Sequence, residues 1–225
     1  VLDIFEETTG GRVIFSVCDI GGVRKDISSD TLKKIVETMD IIESELKEIA
    51  AVFFKDASVK YRTQGVGVLT KEMAHNLGAV GPMAKASGLS HDMRTQGYGA
   101  YKYLKFEPII DTAGDSYART TVRIKEIFQS IDLIRETISL IPDGEIKVKV
   151  TGNPKGEYFT RVEQPRGSAM YYVKANGTKF LDRFRVRTPT FANVPALLET
   201  LKGCSLADVP ILIVTIDPCI SCTER

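Results

Sequence analysis

The chain has 225 residues, 43% of them hydrophobic, with 30 Lys and Arg against 29 Asp and Glu. That supports one good core, or one core with a small satellite, and the near-cancelling charge leaves no nucleic-acid or polyanion footprint. No apolar run reaches the roughly 20 residues needed to span a bilayer, and no signal-peptide pattern opens the chain.

The chain starts at Val1 rather than Met, already within a helical pattern, and reads as a piece of a longer protein. The pattern over 2–9 predicts a helix closed by Gly10-Gly11. Residues 12–17, RVIFSV, are β-prone, and a turn follows at Gly21-Gly22. Ser28, Ser29 or Asp30 caps a long helix running to about Phe54. Its Leu32, Ile35, Met39, Ile42, Leu46, Ile49 and Phe53 alternate three and four apart, the spacing of one buried stripe. Residues 57–100 are punctuated by glycines and predict short helices, one over 70–76, and compact loops. Glycines 65, 67, 78, 81 and 88 lack the partners of a phosphate cradle and are assigned to turns and close packing. A second long helix is predicted over 115–140, with Tyr117, Ile124, Phe128, Ile131 and Ile138 as its stripe. Two such helices joined by a compact crossover predict a helical bundle over 1–142.

Beyond Pro142-Asp143-Gly144 the character changes. Residues 146–150, IKVKV, alternate like an exposed strand. Residues 168–175 and 178–187 flank Asn176-Gly177, the strongest short hairpin signal, which asks both central residues for positive φ. A short helix is predicted over 194–202, and 209–216, VPILIVTI, reads as a buried run. The fold class is α+β: a long-helix bundle with a small, mostly antiparallel sheet. One region covers 1–225, with the hairpin and a carboxy-terminal metal loop in 143–225.

Four cysteines, at 18, 204, 219 and 222, are too sparse for a disulfide framework. Cys18 and Cys204 sit in apolar sequence and read as small buried hydrophobes. Cys219 and Cys222, two residues apart, have the spacing of thiols that converge on one metal. Pro218 fixes φ just before them. The pair alone also fits half a zinc site, a thioredoxin-like dithiol or two ordinary cysteines. The chain holds no second Cys-x-x-Cys, and its two histidines, His75 and His91, are not expected to touch a metal. A thioredoxin-like pair opens a helix, and no helix is expected after Cys219. That leaves half of a site whose other half lies elsewhere.

The ending Asp217-Pro218-Cys219-Ile220-Ser221-Cys222 resembles the carboxy-terminal nickel motif of nickel–iron hydrogenase large subunits. The stretches VLDIFEETTGGRV, RTQGVGVLTKE, VGPMAKASG, YARTTVRIKEIFQSI, RVEQPRG and RVRTPTFANVPAL resemble the energy-converting, membrane-associated group of that family. The paralogous large peripheral subunit of respiratory NADH–quinone oxidoreductase is similar over the same stretches. The resemblance implies that Cys219 is a terminal nickel ligand and that Cys222 bridges nickel to an iron carrying carbonyl and cyanide. Soft thiolates suit such a metal. It implies that Pro165 and Arg166 face the cyanides, that Asp217 pairs with or orients Arg166, and that Thr190 offers a hydroxyl to a cyanide. Cys219, Arg166 and Asp217 are then the catalytic set.

The implied activity is reversible oxidation of dihydrogen and reduction of protons. Electrons would pass through an iron–sulfur small subunit to ferredoxin, in a peripheral arm docked on membrane subunits at the cytoplasmic face. The family's amino-terminal Cys-x-x-Cys is missing, so this chain alone is expected to bind no nickel–iron centre and to be inactive. Arg225 stands where the wider family has a histidine, which argues against a structural ion there. Three alternatives stay open: the quinone-reducing paralogue, which has lost these cysteines, a formate hydrogenlyase large subunit, and a non-catalytic scaffold of the same fold. Arg24, Lys25, Arg62 and Arg94 are assigned to partner or solvent contacts.

Overall fold

In the computed structural model, which describes residues 1–224, helix α1 (Leu2–Thr9) ends on Gly10 at φ 80°. The Arg225 comparison lies outside the described residues. The β-prone segment 12–17 forms no strand. Pairing is limited to the two-residue strands β1 (Cys18–Asp19) and β2 (Gly22–Val23). The segment 146–150 is not a strand either: it crosses this hairpin through one bridge, Gly22 to Lys147. Val23 N donates to Ile146 O and Val148 N to Gly21 O. Glycine permits that approach, because a Cβ on Gly22 would lie 2.8 Å from Lys147 Cα. Cys18, on this exposed ladder, is solvent-exposed rather than buried.

Helix α2 (Ser29–Lys55) starts on Ser28, whose side chain accepts from Thr31 N, and α3 (Ala57–Thr63) starts on Asp56. Short helices α4 (Lys71–Asn76) and α5 (Pro82–Lys85) follow, then two 3₁₀ turns (Met93–Gln96 and Gly99–Tyr103) and the long α6 (Ser116–Leu140). Both long helices stand where their periodic stripes predict them, but the core does not follow the α2 stripe. In α2 only Met39 and Ala50 are fully buried, and Ile49 is 64% exposed. The deepest cluster is Leu69, Ala74, Ala79, Met83, Ala84 and Leu89 with Ala196 and Ile216. It lies in the glycine-punctuated crossover, where small residues let backbones approach closely.

The sheet has three antiparallel strands in the order β3 (Lys155–Gln164), β4 (Gly167–Asn176), β5 (Leu181–Arg187). No sequence signal marks strand β3. The β4–β5 hairpin is present as expected, but its turn is not the two-residue type. Gly177 has φ 86°, while Asn176 stays in the strand and spends its side chain on Thr178 N and Asp182. A register shift at Lys174/Ala175 takes up the extra length. Helix α7 (Pro189–Thr200) begins earlier than predicted, with Pro at its first position. The apolar run becomes helix α8 (Val209–Thr215), which buries Leu212 and Thr215 and leaves Val214 71% exposed. A one-turn helix α9 (Ile220–Thr223) does follow Cys219, contrary to expectation. The chain is thus a mixed α+β fold with small antiparallel sheets. Among the described residues no helix is long and apolar enough to cross a membrane.

Candidate functional site at the carboxy-terminal thiols

Two arginines of α6 fix the end of α8, and so the loop after it. Arg119 is fully buried and donates to Thr215 Oγ1 (3.1 Å), Gly67 O (3.0 Å), Gly114 O (2.9 Å) and Ser116 Oγ (3.0 Å). Burial lowers its pKa to about 10, yet it stays cationic at neutral pH. One turn on, Arg123 donates to Thr215 O at 3.3 Å and meets Asp217 Oδ2 at 3.5 Å. The sequence reading singles out neither arginine. The available signal is two cations four apart within an apolar helical stripe, a spacing that puts both on one face.

After α8 the backbone turns sharply. Asp217 has φ 54°, and it is the only non-glycine residue in the left-handed region among the described residues. Asp is one of the few residues that visits this region at modest cost. The turn carries the Asp217 carboxylate to Arg166. Arg166 Nε donates to Asp217 O at 2.6 Å, and its terminal nitrogen to Oδ1 at 3.2 Å. Arg166 itself sits in the tight Pro165–Gly167 turn between β3 and β4. That turn is pressed onto the loop before α5, where Asn193 of α7 ties the two together. Asn193 Oδ1 accepts from Val80 N (2.9 Å), and its Nδ2 donates to Val80 O (3.2 Å) and Arg166 O (3.4 Å).

The thiols lie on the same loop. Cys219 N donates to Thr190 Oγ1 at 3.3 Å, and Thr223 Oγ1 donates to Cys219 O at 3.0 Å. Thr188 Oγ1 donates to Cys222 O. Cys219 Sγ lies 3.0 Å from Ser221 Oγ. That hydrogen bond, with the Cys222 N–H, the Cys222 thiol and the Arg166 charge, outweighs burial and lowers Cys219 to about 7. Cys222 moves the other way: burial and its thiol neighbour raise it, while Arg166 and Thr190 oppose. The two therefore share one negative charge near neutral pH, borne by Cys219. All four cysteines are free thiols.

The structure thus brings Arg166, Asp217, Thr190, Cys219 and Cys222 into one site, with Pro165 in the adjoining turn. His75 and His91 stand elsewhere, along a separate cleft. Among the described residues no group of three or more His, Cys, Asp or Glu side chains converges as a metal cage. The donor set fits half of a thiolate centre: two soft sulfurs, an adjacent guanidinium and a buried hydroxyl.

The mixed α+β fold is that of the large subunits of respiratory oxidoreductases. The chain belongs to the family of the 49 kDa subunit of respiratory-chain NADH dehydrogenase, which it matches over residues 1–153 and 149–225. It is 38% identical to the carbon monoxide-induced hydrogenase of Rhodospirillum rubrum, over 99% of this chain and 63% of that protein. It is 36% identical to the membrane-bound hydrogenase subunit alpha of Pyrococcus furiosus, over 100% of this chain and 57% of that protein. An NADH-quinone oxidoreductase subunit of Phocaeicola vulgatus is 37% identical over 96% of this chain and 43% of that protein. A chain of an archaeal respiratory membrane complex, the membrane-bound sulfane sulfur reductase, superposes with a TM-score of 0.93 at 32% identity, over 100% of this chain and 63% of that chain. The chain therefore spans less than two thirds of the length of these relatives.

Proposed function

We propose that this chain supplies the carboxy-terminal half of a nickel–iron site in the catalytic subunit of an energy-converting hydrogenase, which oxidises dihydrogen and reduces protons. The observation that carries this reading is the thiol loop. Cys219 and Cys222 are free thiols on one loop, joined by the Cys222 N–H donating to Cys219 O at 3.1 Å, with Thr190 accepting the Cys219 N–H and the Arg166 charge nearby. Cys219 and Cys222 would hold the nickel–iron centre from this half of the site. When bound, that centre supplies the site at which dihydrogen is split. Arg166 offers fixed N–H donors and a permanent charge toward anionic ligands of such a centre. Asp217 holds the guanidinium in place through both its carboxylate and its carbonyl. The buried Thr190 hydroxyl accepts from Cys219 N and so fixes the first thiol. The partners are an iron–sulfur small subunit, membrane subunits and ferredoxin as electron carrier, with the subunit at the cytoplasmic face. The hydrogenase relatives, one of them membrane-bound, support this assignment.

A second reading, the quinone-reducing paralogue, draws on the family description itself and on the quinone oxidoreductase relatives. It gives the two thiols no role. The test is metal content. The full-length subunit, purified without oxygen in its complex, should hold nickel and iron and show infrared bands of metal-bound carbonyl and cyanide. Cys219→Ser and Cys222→Ser should each abolish nickel and dihydrogen oxidation. A nickel-free complex that reduces quinone would instead establish the paralogous role.

A further inference from the structure

Two clefts meet at one carboxyl. The smaller cleft, called inner because it adjoins the thiol site, is about 380 Å³ and is lined by Asp217 and Pro165 there and by Arg123, Glu126, Lys85 and Glu163. The outer cleft, about 630 Å³, is lined by Glu163, Asp92, His75, His91, Arg161 and Arg187. Glu163 belongs to both walls. It stands near the end of β3, before the turn that carries Arg166.

The surroundings leave this carboxyl without a committed counter-ion. Lys85, from α5, is 1% exposed and contacts Asp92 at 2.9 Å, and it also bonds Glu126 of α6. Arg94, from the first 3₁₀ turn, contacts Asp92 at 2.7 Å and Glu126 at 3.4 Å. These two cations and two carboxylates satisfy one another. Glu163 Oε2 accepts only from Met93 N, at 3.0 Å. Its Oε1 is buried with no hydrogen-bond partner among the described residues. Tyr98 Oη accepts from Glu163 N at 3.0 Å and so holds the backbone, not the acid. Arg161 on its own strand and Arg187 on β5 line the outer cleft without an ion pair to Glu163 among the described residues, as do His75 and His91. Arg123 faces the inner cleft and is directed to Asp217. An orphan carboxyl oxygen between two clefts is satisfied by a proton or by water. Burial, with the neighbouring Asp92 charge, pushes the acid up to about 7 against the pull of the Met93 N–H, Lys85 and Arg94.

We propose that Glu163 is a proton-relay group, which takes protons from the inner cleft beside Asp217 and Arg166 and releases them to the outer cleft beside His91 and His75. In each passage an O–H bond forms on Glu163 as a hydrated proton in the inner cleft gives up its proton and is left as water. That O–H bond then breaks as a water in the outer cleft accepts the proton. The carboxylate is regenerated and no electron moves; proton reduction runs the same route backwards. The assignment rests on the hydrogenase reading, which makes the thiol site a source and sink of protons.

The test uses the full-length subunit in its complex, with Glu163→Gln and Glu163→Asp. Three readouts are taken: nickel content, dihydrogen-dependent reduction of methyl viologen against pH in water and in deuterium oxide, and the infrared band of a protonated carboxyl. E163Q should keep its nickel, lose about ten-fold or more in rate, and lose the pH limb near neutrality. E163D, which keeps a carboxyl, should recover part of the rate and a larger solvent isotope effect than the wild type. A carboxyl band titrating near neutral pH should be present in the wild type and absent from E163Q. Nickel-loaded E163Q with the wild-type rate and pH profile overturns the relay. So does a wild-type complex in which no such band titrates, whatever its turnover. A complex that holds no nickel and oxidises no dihydrogen sinks the hydrogenase reading instead, and the relay with it as a route for that chemistry.

Discussion

Asn193 makes the clearest single-residue argument for how the site is held. It is 1% exposed, and its amide closes three hydrogen bonds that join α7 to two separate loops. One of those loops carries Arg166. Removing the amide leaves Val80 N and O without their partner in a partly buried place, and such groups cost more than the bond itself was worth. Asn193→Ala should therefore destabilise the fold by about 2–4 kcal/mol, summed over bonds worth roughly 1 kcal/mol each plus the unpaired groups. Denaturant unfolding measures this. A loss under about 1 kcal/mol would mean that the loop packs correctly without the tie. Asp217 illustrates a different local device. Its left-handed backbone lets a short loop reverse after α8, so that its carboxylate and carbonyl both meet Arg166. Nothing in the string Asp-Pro-Cys marks that conformation.

At the scale of elements, the site depends on a contact between two turns. Gly167 has φ 127°, and a Cβ there would lie 2.7 Å from Gly81 N and from Val80 Cγ2. Gly65 also has positive φ, at 69°, but a Cβ on it meets nothing within 4 Å. The pair separates backbone strain from collision. Gly65→Ala should cost about 1 kcal/mol, the penalty of an L side chain in the left-handed region. Gly167→Ala should cost several kcal/mol more than that and loosen Arg166, because backbone rather than a flexible side chain must move. Thermal unfolding of both variants decides it, and equal losses would show the turn contact to be soft. The same contact bears on what is legible in the sequence. Helices α2 and α6 announce themselves by apolar period and by caps at Ser28 and Asp115. The five residues proposed for the site are named from their motifs, and the structure sets them close to one another. Strand β3 escapes notice because Glu157 to Glu163 mixes exposed aromatics with charges, and its pairing with β4 is a long-range fact. The run 209–216 is ambiguous because a short apolar segment shows no period that separates strand from helix. Arg94, assigned to solvent or a partner, is drawn inward to 12% exposure by its ion pairs with Asp92 and Glu126, the second of which lies far away in sequence.

At the scale of the whole molecule, the charge cluster around Lys85 ties α5, the first 3₁₀ turn, α6 and β3 to the inner cleft. Two of its neighbours respond to pH in opposite senses. Asp92 is held below the usual carboxylate range: burial works against it, but Arg94 and Lys85 prevail. The stability it contributes is present at neutral pH and is lost as pH falls below the ordinary value of 3.8. Glu163 is raised from 4.5 to about 7, so between those values the native state holds a proton that the unfolded chain has released. Its contribution is therefore greatest below pH 4.5, declines as pH rises through that window, and is flat above it. The decline amounts to roughly 3–4 kcal/mol at about 1.4 kcal/mol per pH unit. Glutamine has the shape of the protonated acid and never ionises. Glu163→Gln should thus match the wild type near pH 4.5 and exceed its unfolding free energy by about 3–4 kcal/mol at about pH 8. Denaturant unfolding at both pH values reads the difference directly. A variant less stable than the wild type at the higher pH would mean that the ionised carboxylate is solvated in the folded protein, and that the acid is not held protonated between the two clefts.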